Sequence, residues 1–153
     1  MATAIRPITR DDVRPLHDIT VRPDQHNFIA PNTMTIAQTR FETGAYDFCI
    51  WDGDTRVGLI ALIDMAEHEY KTEIDAPDAA FVWRLLIGMG FQGQGHGTAA
   101  MKFAEEWARR RGRRVMQIQA VETNADAIRI YESLGYARTG KLDGREVQLE
   151  KVL

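Results

Sequence analysis

The sequence predicts an α+β fold, with a mixed and mostly antiparallel sheet flanked by helices. Three observations carry this. Asp52-Gly53-Asp54 and Asp143-Gly144 each sit between apolar runs and mark hairpins. Segments of helical period interrupt the strands rather than alternate with them throughout. Ala80–Ile87 runs into a glycine-rich turn, a helical stretch and then Val115–Val121, which reads as a right-handed parallel crossover. The 153 residues, 44% hydrophobic and 27% charged, suit one domain spanning 1–153.

Ile5 and Ile8 make a short first strand. Thr9 or Asp11 caps a helix to about residue 19, with Val13, Leu16 and Ile19 at helical spacing. Residues 21–32 contain Pro23 and Pro31 and read as a loop. Thr33 or Thr35 opens a second helix to about Glu42, stopped near Gly44. Residues 46–51 and 55–65 form the first hairpin, and an acidic excursion over 66–79 leads to the strand Ala80–Ile87. Residues 98–111 read as a helix burying Ala99, Met101, Phe103, Ala104 and Trp107, with Arg109, Arg110 and Arg111 in the last turn, where cations favour the helix dipole. Val115–Val121 is a strand with a polar break at Gln117 and Gln119. Residues 125–134 are helical up to Gly135, and 136–141 pairs with Glu146–Val152 in a last hairpin.

Composition narrows the function. Cys49 is the only cysteine, so no intrachain disulfide forms, and it reads as a small buried hydrophobe in a reducing compartment. No stretch approaches the roughly 20 apolar residues of a membrane span, and no leader pattern opens the chain. A cytoplasmic protein without membrane contact is expected. A net charge of −3 argues against nucleic-acid binding, although Arg109, Arg110, Arg111, Arg113 and Arg114 cluster. The apolar final strand suggests a homodimer.

The strand, glycine loop and helix over residues 81–98 form a phosphate cradle, because glycines permit close approach and the free N–H groups of a helix start point at an anion. A Walker loop needs Gly-Lys-Ser/Thr, and no lysine occurs between Lys71 and Lys102. A dinucleotide fingerprint would begin directly after its strand, whereas residues 88–94 separate Ile87 from Gly95. Gln92-x-x-Gly95-x-Gly97 instead resembles the pyrophosphate loop of the GNAT acyl-CoA N-acyltransferases. Asn124 opening a helix, Tyr131 within it, and Gly135-Tyr136 at its end resemble that family's second motif. Taken singly, Asn124 is a good N-cap, Tyr131 a core tyrosine and Gly135 a helix stop. Their joint order behind the glycine loop extends the resemblance over nearly the whole chain.

The resemblance implies the GNAT fold and acetyl transfer from acetyl-CoA to an amine, with no metal. An alkylamine arrives protonated, a tetrahedral oxyanion needs an N–H donor, and the leaving thiolate needs a proton. By the same resemblance, Gln92, Gly93, Gln94, Gly95, His96, Gly97 and Thr98 hold the pyrophosphate. Leu85, Leu86 and Ile87 pair with the pantetheine arm and supply the oxyanion donor. Asn124 contacts the arm, and Tyr131 stands near the sulfur as general acid. Many family members carry a Glu base on the strand before the loop. This chain has Trp83 and Arg84 there, so the base is unassigned, with a water chain to Glu67, Glu69, Glu73 or His68 as one route and Arg84 an ion-pair partner within the strand face.

The excursion before that strand carries Asp64, Glu67, Glu69, Glu73, Asp75 and Asp78. Its bland reading is a solvated loop, and its functional reading a surface that concentrates a polycation. Pro23-Asp24-Gln25, Phe28-Ile29-Ala30 and Asn32 resemble the spermine/spermidine acetyltransferase branch, which implies a polyamine acceptor, and the acidic stretch offers Glu67, Glu69, Glu73 and Asp75 to hold it. A peptide or drug-like amine is the alternative acceptor. A CoA-binding sensor without turnover is the non-enzyme alternative.

Overall fold

The computed structural model describes residues 2–153. Seven strands form one sheet in the order β1-β2-β3-β4-β5-β7-β6. They are β1 (Thr3–Pro7), β2 (Ala45–Asp52), β3 (Thr55–Asp64), β4 (Ala80–Ile87), β5 (Val115–Val121), β6 (Ala137–Asp143) and β7 (Glu146–Val152). Four helices flank it: α1 (Val13–His17), α2 (Asn32–Thr39), α3 (His96–Arg110) and α4 (Ala125–Ser133). Every neighbouring pair is antiparallel except β4 and β5. The fold is thus the mixed α+β fold expected.

Three local readings shift. The first helix is short, because a 3₁₀ turn over Arg10–Asp12 takes up its start and α1 ends at His17. The second helix begins one residue early, at Asn32, whose side-chain amide donates to the carbonyls of Leu16 and Ile19. α3 starts at His96 rather than Thr98, because Gly95 turns the chain at φ +89 and frees the next residues to be helical.

α3 and α4 cover one face of the sheet, where Ala100, Met101, Ala104, Ala108 and Ile128 pack on Ile60, Leu62, Val82, Ile118 and Leu149. Burying each such aliphatic side chain stabilises the fold by roughly 1.5–3 kcal/mol. α1 and α2 cover the other face mainly over β2 and β3, around Leu16, Ile36, Cys49, Leu59 and Ala61, with Trp83 of β4 at its margin. β7 lies between β5 and β6, and its apolar Val147 and Leu149 face the core. The apolar character that suggested a dimer is therefore used inside the molecule.

β4 contains the irregularity that shapes the site. Ala61 pairs with Arg84 and Leu62 with Val82, leaving Trp83 as the extra residue of a bulge. Val82 and Leu85 consequently pack on the α3 side, while Trp83 and Arg84 both turn toward α1 and α2. Beyond the bulge β4 leaves β5, with pairing confined to Ala80–Val82 against Met116, Gln117 and Ile118.

Candidate functional site

Two strands that share only three paired positions open a wedge between them. The second half of β4, the glycine loop, the start of α3, the end of β5 and α4 line a cleft of about 770 Å³ there. Leu85, Leu86 and Ile87 form its β4 wall, with the strand edge toward β5 unpaired. An unpaired edge offers alternating N–H and C=O groups to an extended amide-bearing ligand.

Gly93 and Gly95 adopt φ +75 and +89, a region L side chains rarely enter, and open space surrounds the position of an added Cβ at both. The first intrahelical bond comes from the Ala99 amide to the Gly95 carbonyl, at 3.0 Å. The amides of His96, Gly97 and Thr98 are thus free at the positive end of a 15-residue helix. Gln92 anchors the loop, as its Nε2 donates to the Ile87 carbonyl at 3.0 Å and to Gln25 Oε1 at 3.1 Å. Its Oε1 accepts from Arg22 at 3.1 Å. Gln94 is exposed on the loop and lies off the cleft lining. His96 turns its ring away: the side chain is buried, with Nδ1 2.9 Å from Thr3 Oγ1, so only its main chain serves the loop.

Asn124 and Tyr131 reach the same cleft from α4. Asn124 Oδ1 accepts from the Ala127 amide at 3.4 Å as the N-cap, leaving its NH₂ as a donor. Burial alone pushes the Tyr131 phenol up to about 12, so it stays protonated across the neutral range. The loop, the strand edge, Asn124 and Tyr131 therefore converge, and free amides with open space above them suit a pyrophosphate.

The acidic residues divide. Asp75 lines a second recess of about 310 Å³ together with Glu42, His68, Tyr70, Asp143 and Glu146. Glu67 is engaged elsewhere, accepting from Arg111 Nη2 at 2.8 Å and from the Tyr46 hydroxyl at 2.8 Å. Glu69 and Glu73 line neither cavity. Glu67 falls outside the site because Arg111, itself over Tyr46 and Trp107, holds it, and Glu69 and Glu73 are exposed. Asp75 is held in place by buried glutamines on each side. Gln117 Oε1 accepts from the Ala76 amide at 3.1 Å, and Gln148 Nε2 donates to the Ile74 carbonyl at 2.8 Å.

Arg84 forms no ion pair within β4. Its Nη1 donates to Thr35 Oγ1 at 2.9 Å, and its guanidinium stacks 4.4 Å from the Trp83 ring centre. The sequence reading missed Glu42, Asp143 and Glu146. The available signal was the alternation of polar residues on facing strands, with Gln117, Gln119, Glu146, Gln148 and Glu150 all on one sheet face. The arginine cluster is largely neutralised: Arg109 and Arg110 meet Glu106, and Arg111 and Arg113 meet Asp64. Among the described residues no group of acidic, histidine or cysteine side chains is placed to hold a metal ion. Nor is any helix there long and apolar enough to cross a membrane.

Comparison with known proteins agrees with this architecture. The profile of the acetyltransferase (GNAT) family matches residues 10–136. An uncharacterized N-acetyltransferase of Methanocaldococcus jannaschii is 32% identical over 80 residues, 52% of this chain and 34% of that protein. The chain thus spans about a third of the length of that curated relative. The GNAT domain of PAT from S. lividans superposes with a TM-score of 0.76 at 20% identity, over 97% of this chain and 89% of that one. A spermidine N-acetyltransferase from Vibrio cholerae, solved with CoA and spermine, gives 0.72 at 15% identity, over 98% and 95%. The profile takes in the bulged strand, the glycine loop and α4 alike, and the chain belongs to the acetyltransferase (GNAT) family.

Proposed function

We propose that this protein transfers the acetyl group of acetyl-CoA to a primary amine of a small cationic molecule, a polyamine such as spermidine or spermine. The observation that carries the reading is the convergence, in one wedge, of an unpaired β4 edge, a helix start with free amides and a protonated tyrosine. Acetyl-CoA supplies an activated acyl group on a thioester. The main chain of Gln92, Gly93, Gly95, His96, Gly97 and Thr98 receives the pyrophosphate. Leu85, Leu86 and Ile87 take the pantetheine amides and offer N–H groups to an oxygen that gains negative charge. Asn124 donates to the same arm, and Tyr131 gives its proton to the departing sulfur.

The amine enters from the recess on the opposite side of the bulge. Glu42, Asp75, Asp143 and Glu146 ring that recess, and carboxylates so placed raise the local concentration of a polycation. A spermidine acetyltransferase among the structural neighbours supports the polyamine class.

The test is acetyl-CoA-dependent thiol release across spermidine, spermine, putrescine, a lysine peptide, N-terminal peptides and an aminoglycoside. Saturable release with the polyamines is expected. Release with peptides or the drug alone keeps acetyl transfer and removes the polyamine. Tight CoA binding with no release from any amine contradicts the reading in favour of a sensor.

A further inference from the structure

The wedge and the recess meet at the β4 bulge, and four residues line both: Trp83, Arg84, Gln119 and Glu146. An amine that reaches the thioester passes between them. Trp and Gln side chains do not titrate, and a guanidinium keeps its proton. Glu146 is therefore the one residue at the junction able to accept a proton near neutral pH. We propose that Glu146, at the start of β7, is the catalytic base that deprotonates the acceptor amine, and that Arg84 is its positioning countercharge. The proposal rests on the acetyl-transfer reading above.

The register explains how a residue two strands from β4 reaches the junction. Glu146 pairs with Val121 at the end of β5, beyond the point where β4 and β5 have parted. It shares a sheet face with Gln119 and Gln148, and the bulge turns Arg84 toward α2 on that side. The groups around Glu146 have been placed by the elements that carry them. They are Arg84 on β4, Asp143 at the end of β6, Arg145 in the hairpin turn, and Glu42, His68 and Asp75 across the recess. Burial is the largest influence and pushes the carboxyl up, as does Asp143, while Arg84 and Arg145 pull it down. No hydrogen bond contributes, so the carboxylate is uncommitted. His68 is the rival base. Its Nδ1 lies 2.8 Å from the Thr43 carbonyl and must donate there, which leaves Nε2 as an acceptor, but His68 lines the recess alone.

In the step, the ammonium first gives one proton to Glu146, which passes it to solvent. The nitrogen lone pair then forms the C–N bond to give the tetrahedral oxyanion, which collapses as the C–S bond breaks. The second nitrogen proton leaves by the same carboxylate, and the sulfur takes one from Tyr131, which solvent restores. The sum is amide, thiol and one released proton.

The experiment is the pH profile of kcat, with spermidine or whichever panel amine the wild type accepts, for wild type, Glu146→Gln, Arg84→Met and His68→Gln. Acetyl-CoA affinity is measured alongside as a check on folding. Glu146→Gln is expected to lower kcat by about a hundred-fold or more and to abolish the acid limb, with cofactor affinity unchanged. Arg84→Met removes a neighbouring cation and is expected to move the limb to higher pH. A raised KM at unchanged kcat in Glu146→Gln, an unmoved limb in Arg84→Met, or a limb lost only in His68→Gln overturns the assignment. A wild type that acetylates no amine removes the functional reading and this base with it, whereas an active Glu146→Gln enzyme removes the base alone.

Discussion

Tyr131 sits half-buried against Tyr136, and loss of water holds its phenol protonated far beyond neutral pH. Tyr131→Phe keeps the ring and deletes the proton. Turnover should fall about ten-fold or more with acetyl-CoA affinity little changed, as steady-state kinetics beside a binding titration would read. Unchanged turnover removes Tyr131 from the chemistry. Asp12 shows the opposite balance. Burial pushes its carboxyl up, yet the Thr9 amide at 2.8 Å and Arg56 Nε at 2.8 Å outweigh it and hold the group low. A carboxyl depressed in the folded state adds stability above its unfolded value, and that stability is lost as pH falls through the folded one. Asp12→Asn should therefore cost about 2 kcal/mol near neutral pH, and the gap should narrow in denaturant melts at about pH 3. Residues placed by near neighbours and by motif order, such as Gly93, Gly95, Asn124 and Tyr131, were legible in the sequence as candidates, and they line one cleft. Glu146 was not, because its place depends on pairing with β5 and on the parting of β4 from β5, neither of which leaves a local trace.

Single elements repeat that division. Hairpin turns, the strand–loop–helix unit and the existence of each helix follow from turn chemistry and periodicity and were read from local sequence, whereas the starts of three helices shifted. α3 began earlier than expected because Gly95, not Thr98, ends the loop. The bulge in β4 was invisible, since Phe81-Val82-Trp83-Arg84-Leu85 contains no glycine to announce it. The excursion over 66–79 looked like a solvated acidic loop, yet buried Gln117 and Gln148 clamp its residues 74–76 to the sheet. Cutting one clamp should loosen the recess and spare the wedge. Gln148→Ala is expected to raise the acceptor KM several-fold while leaving acetyl-CoA affinity unchanged. Equal weakening of both ligands would mean that the clamp holds the whole sheet rather than the recess.

For the whole molecule, α3 and α4 cover one sheet face but leave β6 exposed, and α1 and α2 cover the other only over β2, β3 and the β4 bulge, so a polar stripe on β4, β5 and β7 is left beneath the excursion. Under the proposed function, that unequal cover gives the acyl donor one side of the bulge and the amine the other. Composition and periodicity announced the class of fold, but not which strands share the stripe, because strand order is a long-range property. The central claim is that the donor lies in the wedge between β4 and β5. Amide hydrogen exchange with and without CoA tests this most directly. The account predicts slowed exchange at Leu85, Leu86, Ile87 and across residues 92–98, with β1 and β2 unchanged. Protection confined to other strands, or none at saturating CoA, would contradict it.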